Sequence, residues 1–185
     1  MSIVTLQIGQ CGNQIGGQFF STIVEDLQLQ KSADQGKPNE TGDPPNDSYG
    51  DECLHRFFSV SRDEAWTARS VLVDMEPKAI AQTVADARRS GCWSYSTGNQ
   101  LCQKRGSGNN WAHGFCRHGP AIEKRFMDMV QREAEKCDRL DGFLVLMSLA
   151  GGTGSGVGAY LTRCLRDQFP HSAIVNQVGT EMFTA

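Results

Sequence analysis

Residues 143–156 read Phe143-Leu144-Val145-Leu146-Met147-Ser148-Leu149-Ala150-Gly151-Gly152-Thr153-Gly154-Ser155-Gly156. The apolar run from Phe143 to Met147, set between Gly142 and Ser148, predicts a central parallel strand covered on both faces. A glycine turn follows it. Beyond the turn, Val157, Leu161, Cys164, Leu165 and Phe169 recur at helical spacing and predict an inward face. Strand, glycine turn and amphipathic helix together are the opening half of a βαβ unit.

The same device stands at the N-terminus. The β-branched run Ile3 to Ile8 predicts a strand ending in Gly9, and Ile15, Phe19, Ile23 and Leu27, widened by Phe20 and Val24, predict a helix. Val71-Leu72-Val73 predicts a third strand, closed by Asp74-Met75-Glu76-Pro77. Pro77 suits a first helical turn, where its missing N–H has no partner to lose, and Ile80, Val84 and Ala87 mark the helix face. Trp93 to Tyr95 predicts a short strand. Gly106-Ser107-Gly108-Asn109-Asn110-Trp111 is a glycine loop leading to a helix whose face carries Ile122, Phe126, Met129, Val130 and Cys137. Ala173-Ile174-Val175 predicts one more strand. Between the elements, residues 31–52 are polar and rich in Gly, Pro, Asn and Asp, which predicts a mobile surface loop: a solvated insertion or a partner-binding segment. Strands alternating with helices place the chain in the α/β class, a Rossmann-like, mainly parallel sheet with flanking helices. At 185 residues it is one domain in length, residues 1–185.

Composition narrows the function. A net charge of -3 argues against general nucleic-acid binding. No apolar stretch reaches membrane-spanning length, so no membrane insertion is expected. The 7 cysteines are scattered, odd in number and without a C-x-x-C pair. The apolar start is too short for a secretory segment and lacks a basic flank. Reduced thiols in the cytosol or nucleus follow. The 4 histidines have no metal-ligand spacing.

Four loops, Gly9 to Gln14, Asp74 to Glu76, Gly106 to Asn110 and Ala150 to Gly156, follow or nearly follow strands. In an open parallel sheet such loops share one edge, at the carboxyl ends of the strands. In the loop Ala150, Gly151, Gly152, Thr153, Gly154, Ser155 and Gly156, glycines let backbone N–H groups approach an anion, and the helix behind adds partial positive charge. Phosphate oxygens are the natural occupant, with Thr153 and Ser155 offering hydroxyls; a bare strand–helix turn is the competing reading. No Gly-Lys-Ser/Thr ending is present, so this is not a Walker A loop, and it is out of register with the dinucleotide fingerprint. Without a loop lysine, phosphate charge must be met by amide dipoles and a metal ion. At the first loop, Gln10, Asn13 and Gln14 offer amides for phosphate, ribose or base, with helix capping as the alternative for Asn13. Cys11 reads as a small packing residue beside the ligand rather than a reactive thiol. Asp74 and Glu76 are hard carboxylates suited to Mg²⁺ with water, and Asp74 has helix capping as an alternative or added role. Asn109 and Asn110 either reach the terminal phosphate or cap the next helix.

At these residues the chain resembles the tubulin family. GQCGNQIG (Gly9 to Gly16), VLVDMEP (Val71 to Pro77), GSGNNWAHG (Gly106 to Gly114) and AGGTGSG (Ala150 to Gly156) stand in the family's order and spacing. The last is similar to the glycine signature shared with FtsZ. Ala150, where alpha- and beta-tubulins carry glycine, together with CQKRGSGNNWAHG, EKCD and LMSLAGGTGSG, resembles the delta branch most. The resemblance implies a tubulin/FtsZ-type GTPase domain, incomplete at the C-terminus, with GTP or GDP and Mg²⁺ as ligands. By carry-over, Gln10, Cys11 and Gln14 would lie at the nucleotide, Glu76 at the metal and Asn109 near the terminal phosphate. Ser148 with Gly151 to Gly154 would hold phosphates.

The resemblance also implies a cytoskeletal protein of centriole, basal body and cilium, in the cytoplasm and possibly the nucleus, with other tubulins or centriolar proteins as partners. It puts the base-gripping residues and the hydrolytic acid beyond position 185. The expectation is a truncated form that binds GTP weakly and has little turnover of its own. A free-standing GTPase, a nicotinamide-dependent oxidoreductase and a nucleotide-incompetent chain acting through partners alone are the alternatives.

Overall fold

The computed structural model describes residues 1–34, 48–60, 65–103 and 105–179. Strand β1 (Ser2–Ile8) runs into helix α1 (Gly9–Asp34), and α2 (Ser48–Phe57) leads to β2 (Phe58–Val60), β3 (Trp66–Ala68) and β4 (Ser70–Asp74). Then come α3 (Pro77–Ser90), β5 (Trp93–Tyr95), β6 (Gln100–Cys102) and the short α4 (Trp111–His113). A π-helical turn at Gly114–His118 opens α5 (Gly119–Glu135); β7 (Leu140–Ser148) follows. A second π-helical turn, Thr153–Val157, opens α6 (Gly158–Gln168), and β8 (Ala173–Gly179) is last.

Five strands form one sheet in the order β6-β4-β1-β7-β8, and every neighbouring pair is parallel. The chain builds outward from β1 in one direction through β4 and β6, then returns to its other side with β7. That reversal is a topological switch point, where parallel sheets open a crevice beyond the strand ends.

The alternation of β1 divides the core. Val4, Leu6 and Ile8 join Val71, Val73, Phe143 and Val145 in a cluster capped by Ile122, Phe126, Met129 and Val130 of α5 and Leu161 and Leu165 of α6. On the opposite face, Phe20, Val24 and Leu27 of α1 and Ile80, Val84 and Ala87 of α3 cover Leu72. Each fully buried side chain of this size contributes about 1.5–3 kcal/mol of transfer free energy. Phe20 is the hub of the second cluster, with ring centroids 5.3 Å from Phe58, 5.5 Å from Trp93 and 5.9 Å from Tyr95. Gln7, pointing into that side, shares hydrogen bonds of 3.1 and 3.3 Å with the Tyr95 hydroxyl. It lies against Gly16, where a Cβ would collide with it.

Three sequence expectations change. Trp93 to Tyr95 is a strand but belongs to a separate small sheet, β2-β3-β5, where it pairs with β3 and its rings pack onto Phe20 and Phe58. The polar segment 31–52 is helical at both ends, since α1 runs to Asp34 and α2 begins at Ser48. Its middle, residues 35–47, lies outside the described residues, as does the segment after Gly179. Cys137 falls just past α5 rather than within it, half-buried against the same cluster.

Candidate functional site

The four loops meet at the switch point. Gly9 leaves β1 at φ 77°, a left-handed geometry that favours glycine, and a Cβ there would lie 2.8 Å from the Gly154 amide nitrogen. The first and fourth loops are therefore in backbone contact. The third loop rests on the fourth: a Cβ on Gly152 would lie 2.5 Å from Ser107 Oγ, and Ser107 Oγ and Thr153 Oγ1 share a hydrogen bond of 2.8 Å. The second loop joins through Glu76, whose Oε1 sits 2.5 Å from a Cβ placed on Gly106. Beneath them the two π-helical turns interlock, Gly114 against the Gly152 carbonyl and Gly156 against the Trp111 carbonyl.

In the first loop, Gln10 and Gln14 are exposed one helical turn apart, while Cys11 is half-buried beside Gly179 of β8. Asn13 turns inward instead. Its Nδ2 donates 2.8 Å to the Gly9 carbonyl and 3.2 Å to that of Val73, so it ties the turn to the end of β4. It is neither a helix cap nor an outward donor.

In the fourth loop the hydroxyls divide. Ser148 donates to the Ala150 carbonyl at 2.8 Å, and Ser155 donates to the Gly151 carbonyl. Both protons serve the loop itself, contrary to the expectation that Ser155 offers a ligand donor. Gly151 stands at φ 84°. The first bonds of the following helix run from the Gly156 and Val157 amides to the Gly152 carbonyl, each 3.1 Å. The amides of Thr153, Gly154 and Ser155 lie ahead of the first helical donor, Gly156, and so have no acceptor within the helix, the ordinary condition of a helix N-terminus.

In the second loop, Asp74 is 4% exposed and accepts from the Glu76 amide at 3.2 Å. Burial pushes its carboxyl up to about 6, against the pull of the Glu76 and Met75 amides. The residue at the helix N-cap is Glu76, without a side-chain capping bond, so Asp74 braces the turn rather than capping α3. Strand β4 ends at Asp74, which places the two carboxylates differently: Asp74 buried, Glu76 exposed beside the third loop. Among the described residues, no three His, Cys, Asp or Glu side chains gather into a metal-binding group.

The third loop separates its two asparagines. Asn110 caps α4, accepting from the His113 amide at 3.0 Å. Asn109 adopts φ 54°, a costly conformation for a non-glycine residue, and its Oδ1 lies 3.3 Å from a Cβ placed on Gly151. The capping role therefore falls to Asn110, and Asn109 is left facing the glycine loop. Behind the third loop, His118 Nδ1 is 3.0 Å from Gln103 Oε1, and burial, then the neighbouring His113, lower its basicity. In the sequence Ser107 has no mark beyond a hydroxyl between two glycines.

The Tubulin/FtsZ family, GTPase domain, matches residues 2–183. The tubulin delta chain of Macaca fascicularis is 47% identical over 178 residues, covering 96% of this chain and 38% of that protein. That of Homo sapiens is 46% identical with the same coverage. The tubulin gamma chain of Candida albicans is 33% identical over 94% of this chain and 38% of its own length. The chain thus spans about two-fifths of these relatives. Its parallel sheet, its glycine loops and these matches agree: the chain belongs to the Tubulin/FtsZ family.

Proposed function

We propose that this chain binds GTP or GDP with Mg²⁺ at the four-loop rim and serves as a delta-type tubulin subunit. It acts by assembly and partner binding rather than by turnover of its own. The observation that carries the reading is the contact of all four loops beyond the strand ends, with the helix-leading amides of the Gly151–Gly156 loop at the switch point. Such a cradle suits an anion, since amide dipoles and a helix N-terminus favour negative charge. Gly151, Gly152, Thr153, Gly154 and Gly156 with Ala150 would surround the phosphates, Ser148 and Ser155 would hold the loop's shape, and Asn109 would approach the terminal phosphate. Gln10 and Gln14, exposed on α1, with Cys11 between them, would flank the nucleoside.

Glu76 fits a Mg²⁺ position, an exposed carboxylate at the rim, with Asp74 bracing it from below. Lacking a protein-only cage, the ion would take its remaining ligands from phosphate and water, and it would supply charge neutralisation. The identity with delta chains supports a cytoskeletal place at centriole, basal body and cilium, in the cytoplasm with the nucleus as a second compartment. Other tubulins or centriolar proteins would be its partners. No described helix is long and apolar enough to cross a membrane.

Isothermal titration of the chain with GTP, GDP and ATP, with and without Mg²⁺, tests the reading. Weak, Mg²⁺-assisted binding with little preference for guanine is expected. Absence of binding to every nucleotide at millimolar concentration overturns the proposal, and submicromolar guanine-selective binding overturns its claim that the base is held weakly.

A further inference from the structure

Ser148 and Ser155 spend their protons on the carbonyls of Ala150 and Gly151. Of the hydroxyls from Ser148 to Gly156, only that of Thr153 is not committed to a backbone carbonyl. Its partner is another hydroxyl, Ser107 Oγ, at 2.8 Å. The two differ in access: Ser107 is 6% exposed, whereas Thr153 is only half-buried. Ser107 also sits against Gly152, where a Cβ would lie 2.5 Å from its oxygen, so it has little room to turn elsewhere.

We propose that Ser107 is a positioning residue for nucleotide binding, its hydroxyl orienting the Thr153 hydroxyl as a donor to a phosphate oxygen. The inference rests on the rim being a phosphate site. Each hydroxyl carries one proton and can also accept, so the bond between them runs in either direction when no anion is present. A phosphate oxygen only accepts. Once it takes the Thr153 proton, the proton of Ser107 must point to Thr153 Oγ1, and the order becomes Ser107 to Thr153 to phosphate. Hydrogen bonds in series polarise one another, so the buried serine makes the threonine a better donor without touching the ligand. This supplies a side-chain donor in a loop that has no lysine.

The test is a double-mutant cycle on the 185-residue chain: GTP affinity for wild type, Ser107→Ala, Thr153→Ala and the double variant. Loss of a hydrogen bond to a charged group weakens binding by about tenfold or more, and loss of a bond acting through it by less. The expected losses are about fivefold for Ser107→Ala and about tenfold for Thr153→Ala. The double variant should be within about twofold of Thr153→Ala alone, because Ser107 has nothing left to orient. Ser107→Cys, which keeps a weaker donor, should lie between wild type and Ser107→Ala, and it serves in place of Ser107→Ala if that variant does not fold.

Losses that multiply, or an unchanged affinity in Ser107→Ala, overturn the proposal. Hydrogen exchange of residues 105–113 in the nucleotide-free Ser107→Ala chain should stay within about twofold of wild type. Exchange more than about tenfold faster assigns the loss to disorder of the third loop and also overturns it. A wild-type chain that binds no nucleotide refutes the phosphate reading itself, an outcome separate from wild-type binding with uncoupled variants.

Discussion

Gly9 and Gly154 pack so closely that a single added carbon would not fit: a Cβ on Gly9 would stand 2.8 Å from the Gly154 nitrogen. The positive φ of 77° at Gly9 compounds this. Gly9→Ala should therefore cost about 1–3 kcal/mol in folding stability and pry the first loop from the fourth. Urea denaturation and GTP titration of the variant check it. Wild-type stability and affinity together would show that the two loops do not depend on each other.

Asn13 joins Gly9 and Val73 through one amide nitrogen. Asn13→Ala removes two buried hydrogen bonds, so a loss of about 1–3 kcal/mol is expected, with weaker nucleotide binding as the turn loosens. A chemical denaturation midpoint unchanged from wild type would remove Asn13 from the architecture of the rim.

Asp74 gives a pH signature. Burial raises its carboxyl from 3.8 to about 6 in the folded chain, so the native state holds a proton that the unfolded chain releases. The resulting stability is fully present below pH 4 and is lost as pH rises through about 6. Asp74→Asn removes the effect. The stability of wild type relative to Asp74→Asn should fall by roughly 2–3 kcal/mol between pH 4 and pH 7. Urea midpoints across that range decide the matter, and a difference that does not vary with pH contradicts it.

Glu76 lies beside Gly106 at the open side of the rim. Glu76→Gln keeps the shape and removes the charge, so the gain in GTP affinity on adding Mg²⁺ should shrink by about tenfold while affinity in EDTA stays close to wild type. An undiminished Mg²⁺ effect would take Glu76 out of the metal site.

Glu133 supplies the contrast. It is 2% exposed, accepts from Asn99 Nδ2 at 2.7 Å and pairs with Lys136 at 2.8 Å, and Asn99 also bonds the Ser70 carbonyl at the start of β4. This cluster stands at the amino ends of the strands, across the sheet from the loops. Glu133→Ala should cost about 1–3 kcal/mol by leaving the buried Asn99 amide without its partner, the exposed Lys136 charge being taken up by water, yet leave GTP affinity unchanged wherever the variant is folded. A selective drop in affinity would mean that the two ends of the sheet are coupled.

The glycine loops and their strands were legible because they combine two strong signals: an apolar run with no polar face and a glycine cluster at its end. Phe143 to Met147 has both; Ile3 to Ile8 has Thr5 and Gln7 on one face and is legible from its β-branched residues and the Gly9 that ends it. Strands β2, β3 and β6 are three residues each, too short for a period of two to repeat, and they escaped notice. Helix α2 was hidden because Asn, Asp and Gly before it made the whole segment look like loop, although Cys53, Leu54 and Phe57 lie on its packed side. At the site, residue types predicted the chemistry but not its direction. Asn13 and Ser155 look like ligand donors in a string of letters, and only the fold shows that their protons are already engaged by Val73 and Gly151.

The strand order has a consequence for synthesis. β1 is made well before β7, yet one of its two edges is completed by that strand, with Thr5 opposite Leu144. At translation speeds of about 5–20 residues per second, β1 waits roughly 7–30 seconds for that neighbour to leave the ribosome. Throughout the interval its apolar Val4, Leu6 and Ile8 have no lid of α6 and its backbone offers a vacant edge. Until β7 emerges, that edge is free to pair with strands of other chains, which makes the interval the one in which aggregation competes with folding.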